Sequence, residues 1–144
     1  MSHLTLEKAQ AIVARSLAVA RERKFNPMAV VVIDGRAALK AAGAEDGCPI
    51  VRWKIAFGKA NASVSFGAGT RKIEAIAKDR PHFLAGLESV IGAGGAVPVP
   101  GGVLIRDDKG NIVGAAGMSG DTSDNDEAAL IVAIEEAGFK ADAG

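Results

Sequence analysis

The chain has 144 residues, enough for a single domain, 1–144, with a core of its own. Its 17 basic and 17 acidic residues cancel, and only 4% of residues are aromatic, so it has neither the electrostatic pull nor the stacking platform of a nucleic-acid binder. Cys48 is the single cysteine, which excludes an internal disulfide and a cysteine-held zinc. No secretory leader and no apolar run of the ~18 residues a membrane span needs is visible, so a cytoplasmic protein is expected.

Leu6, Ala9, Val13, Leu17 and Ala20 recur at three- and four-residue steps and predict a helix over Thr5–Arg23. Thr5 can cap it, Glu7 suits its first turn, and Asn26-Pro27 ends the segment. Met28–Ile33 is a continuous apolar run rich in β-branched residues, the pattern of a strand covered on both faces. Asp34-Gly35 predicts a two-residue hairpin turn, and Arg36–Ala42 returns as the second strand. Pro49 suits the first position of a helix running to Val64. "SFGAGT" breaks that helix, Thr70 is read as the cap of the next, and "HFLAGLESVIG" reads as a short helix after Pro81.

Val103–Arg106 and Ile112–Ala116 form a second hairpin signal around "DDKGN". A final helix runs from Asp124 to Gly138, with Asp124 and Glu127 at capping-box spacing, and "KADAG" reads as a frayed tail. The hairpin-then-helix pattern occurs twice, "VVVIDGRAALKAAG" loosely echoing "VLIRDDKGNIVGAAG". The fold class is α+β: an antiparallel sheet of four or five strands with helices on both faces.

The order and spacing of "LTLEKAQAIV", "VVVIDG", "KIAFGKANAS", "FGAGTRKI", "PVPGGVLIRD" and "GNIVGAAGMSGDTSDNDEA" resemble the GlcG/HbpS-like family, which includes the C-terminal domain of PduO-type proteins. The resemblance covers nearly the whole chain. It implies a profilin-like α/β/α sandwich, ring-like or paired homo-oligomers, often octamers, and for some members haem or another tetrapyrrole as ligand. The sequence departs from the family pattern at Leu104, where proline is common, and at Ala62, where a hydroxyl residue is common.

The glycine-rich segments fit no phosphate loop. "GAGGAVPVPGG" lacks the Lys-Ser/Thr ending, "GAAGMSG" lacks a parallel βαβ unit, and Asp121 replaces the second glycine of a nucleophile elbow. Gly101 and Gly102 are expected in a turn, and Gly114, Gly117 and Gly120 at close packing contacts. If a ligand binds this stretch, the expected contact is the span from Gly117 to Glu127. Its acids Asp121, Asp124, Asp126 and Glu127 read first as caps and dipole partners, and no metal site is expected.

For haem, His82 is the better axial candidate; His3 lies near the terminus, and Cys48 and Met118 stay open. Thr70, Arg71, Met118 and Ser119 complete the expected binding set. Arg71, a cation in the first turn of a helix, calls for an anionic partner, either a ligand carboxylate or a side chain. Cys48, just before a helix, is placed where a thiol pKa can fall. Three functions stay open. The chain is a cytoplasmic homo-oligomeric protein for a small anionic ligand or tetrapyrrole. Alternatively it is an enzyme on a small hydroxy- or keto-acid, with Arg71 clamping the carboxylate and Lys59 or Glu127 moving a proton. The third is a structural accessory protein with no ligand.

Overall fold

A computed structural model describes residues 3–144, which form five helices and five strands. In chain order they are α1 (Leu6–Glu22), β1 (Ala29–Asp34), β2 (Leu39–Ala44), α2 (Val51–Phe66), α3 (Thr70–Asp79), α4 (Pro81–Ile91), β3 (Gly102–Arg106), β4 (Ile112–Ser119), α5 (Ser123–Glu136) and β5 (Lys140–Asp142). The strands make one antiparallel sheet in the order β2-β1-β4-β3-β5.

Alternation along the central strands splits the core in two. Val30, Val32, Val103, Ile105, Ala116 and Met118 face α1 and α5. Their neighbours Val31, Ile33, Leu104 and Ala115 face α2. Both faces are therefore buried, which is why these strands read as continuous apolar runs. α3 and α4 pack beside α2 around Ala62, Ile73, Leu84 and Ala96. The architecture is an α/β/α sandwich of the α+β class.

Small residues set how closely α2 lies on the sheet. A Cβ built on Gly117 would stand 1.8 Å from the Ala56 carbonyl oxygen, so only glycine lets helix and strand touch here. Each missing side chain lets main chain meet main chain.

The two hairpins repeat their turn atom for atom. Asp34 Oδ1 accepts from the N–H groups of Arg36 and Ala38, and Asp107 Oδ1 accepts from those of Lys109 and Asn111. The left-handed residue is Ala37 in the first turn (φ +64°) and Gly110 in the second (φ +85°). The expected two-residue turn at Asp34-Gly35 is thus a longer, aspartate-anchored turn. The carboxylate satisfies the N–H groups that a tight turn would leave bare.

Other expectations shift. The buried stripe of α1 is Ala9, Ile12, Ser16, Val19 and Ala20, while Leu6 is exposed and Val13 and Leu17 are half-buried. α2 starts at Val51, two residues past Pro49, and runs to Phe66. Gly69, not Thr70, is the N-cap of α3, and Thr122, not Asp124, caps α5 by accepting from the Asn125 N–H. The segment read as a frayed tail forms β5: Lys140, Ala141 and Asp142 pair with Arg106, Ile105 and Leu104. Arg106 holds Asp142 at 2.9 Å, and the Ala143 carbonyl accepts from Arg71 N–H.

Candidate functional site

The end of β4, the entry to α5 and the flank of α2 converge on Lys59. A lysine at 1% exposure needs an anion and hydrogen bonds to offset its lost hydration. Its Nζ donates to the Met118 carbonyl at 2.8 Å and to Asp126 Oδ2 at 3.1 Å. Asp126, equally buried, also accepts from the Asp121 N–H through Oδ1. The ammonium passes the end of the sheet over Gly101, whose φ is +116° and whose Cβ would lie 2.7 Å from Nζ. Burial pushes the Lys59 ammonium down against the pull of Asp126, and pushes the Asp126 carboxyl up against the pull of Lys59.

Two further groups border this pair. Arg52, in the first turn of α2, donates to Ser119 Oγ at 3.2 Å and has no ion-pair partner among the described residues. Asp121 accepts from Asn26 N–H at 2.8 Å, from Asn125 Nδ2 at 2.7 Å and from Thr122 N–H at 2.9 Å. Those bonds hold its carboxyl below the usual carboxylate range.

Arg71 finds its anion within the chain. Its Nη2 donates to Asp124 Oδ1 at 2.6 Å, and its guanidinium grips Glu127 at 3.1 Å. Thr70 is buried, its hydroxyl donating to the Gly102 carbonyl at 3.2 Å and accepting from the Gly102 N–H at 2.7 Å, so it fastens α3 to the start of β3. Met118 is wholly buried on the face toward α1 and α5. Lys59 and Arg71 both spend their charge on acids of α5, and as they stand neither presents an open cation to a substrate.

His82 stands apart, exposed in the first turn of α4. One helical turn on, a Cβ at Gly86 would meet nothing within 4 Å. Phe83, Leu87, Val90 and Ile91 recur at helical spacing on the same helix. With Phe66 of α2 and Ile76 of α3 they line an apolar cleft of about 350 Å³. Arg80 stacks its guanidinium 4.2 Å from the Phe83 ring centroid. His3 is exposed. Cys48 is half-buried, and burial pushes its thiol up, with Arg52 pulling the other way, so the lowered pKa expected from its place before a helix does not hold.

The expected residues therefore fall into three groups: Lys59, Met118 and Ser119 at the end of β4; Thr70, Arg71 and Glu127 where α3 meets β3 and α5; and His82 on α4. Sequence reasoning missed Arg52, although it stands seven residues before Lys59 on the same helix, two turns away on one face. It also missed the apolar cleft on α4, the helix that carries His82. Among the described residues no group of three or more His, Cys, Asp or Glu could hold a metal ion, and no helix is long and apolar enough to cross a membrane.

Comparison with known proteins places this architecture. The family model described as haem degrading protein HbpS-like matches residues 4–135. The crystal structure of HbpS is similar at 23% identity and a TM-score of 0.82, over 96% of this chain and 92% of that one. A PduOC–haem complex is similar at 21% identity and a TM-score of 0.83, over 96% and 97%. The Klebsiella pneumoniae protein ORFY is similar at 22% identity and a TM-score of 0.82, over 95% and 92%. At these identities the likeness is one of fold. No curated protein sequence matches the chain.

Proposed function

The chain belongs to the HbpS-like family, and from that premise we propose that it is a homo-oligomeric binding protein for haem or another tetrapyrrole, with His82 as the iron ligand. The observation that carries the reading is an exposed imidazole on α4, one position before Phe83 of the apolar cleft on the same helix. Haem needs an axial donor beside an apolar surface, and bound haem would supply a redox-active iron. His82 offers a ring nitrogen, Phe83 and Val90 offer apolar surface, and Gly86 leaves the helix bare between them. Arg80 is a cation within reach of that surface for a propionate. A relative of the same fold, PduOC, was solved as a haem complex. Self-association is supported by the exposed side chains of Leu6, Leu39 and Ile112 and by the edge strand β2, which pairs with β1 alone.

Titrating the purified protein with haemin tests the reading. A saturable Soret shift at one haem per chain is expected, with its coordination signature lost in His82→Ala. An unshifted Soret band, or a His82→Ala spectrum identical to that of the unaltered protein, would remove this function. Native mass spectrometry of the same sample reads the oligomer.

A further inference from the structure

A second recess lies at the other end of α2, away from His82 and from the Lys59–Asp126 pair. It holds about 340 Å³ and is lined by Trp53, Lys54, Phe57, Gly94 and Gly95. The three helical residues share a face because three- and four-residue steps bring side chains together. Ile50 and Trp53 are 80% and 49% exposed, while Phe57 is half-buried with one side against the core.

The opposite wall is bare backbone. Gly94 and Gly95 both take positive φ, +92° and +67°. A Cβ on Gly94 would come within 2.6 Å of the Phe57 ring, and one on Gly95 would meet nothing within 4 Å. The wall is fixed in place: Asn61 Nδ2 donates to the Gly95 carbonyl at 2.8 Å, Gly95 N–H donates to the Gly92 carbonyl, and Val97 N–H donates to the Gly58 carbonyl. Phe57 packs directly on the Gly94 backbone as the floor, and Trp53 on one side with the side-chain-free peptide of Gly95 on the other makes a recess suited to a flat guest.

Charge decides which flat guest. No acid lines the slot, and Lys54 has no ion-pair partner among the described residues. An aromatic pair alone would suit a quaternary ammonium, but Lys54 repels one. We infer that this slot binds a small planar aromatic carboxylate, its ring against Trp53 and Phe57 and its carboxylate on Lys54. The volume sits near the lower end of small-molecule sites, about 300–1,000 Å³, which suits one or two fused rings, and no residue lines both this slot and the cleft of α4. The site is thus separate from the haem reading.

Trp53 is the sole tryptophan, so its indole N–H gives one amide-correlation resonance that reports the slot directly. The full chain titrated with naphthoate is expected to show a saturable shift of that resonance. Naphthylmethanol, which keeps the rings without the charge, and the Lys54→Gln variant should each bind about fivefold more weakly. Cyclohexanecarboxylate should leave the resonance in place. In Trp53→Leu, checked for folding by circular dichroism, ligand-observed saturation transfer from naphthoate should vanish. His82→Ala should respond like the unaltered protein, which keeps this test independent of haem binding. The inference is overturned by an unmoved indole at millimolar naphthoate, or by equal binding of the uncharged ring. It is also overturned if light scattering shows that Trp53→Leu dissociates the homo-oligomer, since a second copy would then fill the slot.

Discussion

Lys59 and Asp126 meet in the interior, Nζ to Oδ2 at 3.1 Å, from helices on opposite faces of the sheet. The contact passes the end of β4 and bonds its last turn of backbone through the Met118 carbonyl. One ion pair therefore ties all three layers. Removing one partner of a buried pair leaves the other charge without compensation, which costs about 3–5 kcal/mol. Asp126→Asn and Lys59→Met are each expected to lose stability on that scale in urea unfolding. The double variant Lys59→Met with Asp126→Leu should lose less than either single one, because no charge stays buried. A loss under about 1 kcal/mol in both singles would contradict the pair as described.

Asp121 should control part of the acid limb of stability. Its folded carboxyl is held below the unfolded value, first by the Asn26 N–H and then by Asn125 and Thr122. A depressed acid contributes stability that is present above its unfolded pKa and is lost as pH falls through the folded one. Unfolding free energy is expected to drop as pH falls below about 4, and Asp121→Asn should flatten that drop. An unchanged pH profile in the variant would count against the assignment.

Glycine-to-alanine changes should act with opposite signs at two positions. At Gly117 the added methyl would meet the Ala56 carbonyl, so Gly117→Ala is expected to cost about 3 kcal/mol by forcing α2 off the sheet. At Gly86, in the middle of α4 with nothing within 4 Å, alanine is expected to add roughly 0.5–1 kcal/mol through lower backbone entropy in the unfolded chain. Thermal unfolding of the two variants checks the pair; a stabilised Gly117→Ala would mean that helix and sheet are not in contact there.

The twin hairpin turns give a matched test. Ala37 adopts φ +64° where the second turn uses Gly110. A left-handed non-glycine residue carries a strain of roughly 1–2 kcal/mol, partly offset by glycine's greater unfolded entropy. Ala37→Gly is therefore expected to raise the melting temperature slightly, and Gly110→Ala to lower it. Equal and opposite shifts are not required, but a fall for Ala37→Gly would refute the shared turn geometry.

Much of the fold was legible because its signals are local. Thr5 accepts from the Lys8 N–H as its place before an apolar-periodic run predicts. The two-sided strands announce themselves as unbroken apolar runs, and the echo between the hairpins extends to the hydrogen bonds of Asp34 and Asp107. β5 was not legible: three residues at a sheet edge carry no period, and their pairing with β3 depends on chain folded some 36 residues away. Thr70 misled for a related reason. A threonine before a helix looks like a cap, but here its hydroxyl is taken by Gly102, a partner 32 residues along.

The sequence by itself determined the element order as far as α5, the hairpins, the two-faced sheet and the family, since each rests on periodicity, turn chemistry or motif order within short windows. Only the tertiary structure decided what the charged residues do. Lys59 and Asp126 lie 67 positions apart, and Arg71 and Glu127 lie 56 apart. Nothing in either neighbourhood names its partner. Ion pairs and clefts depend on distance in space, and chain closure sets that distance only once the sandwich has packed.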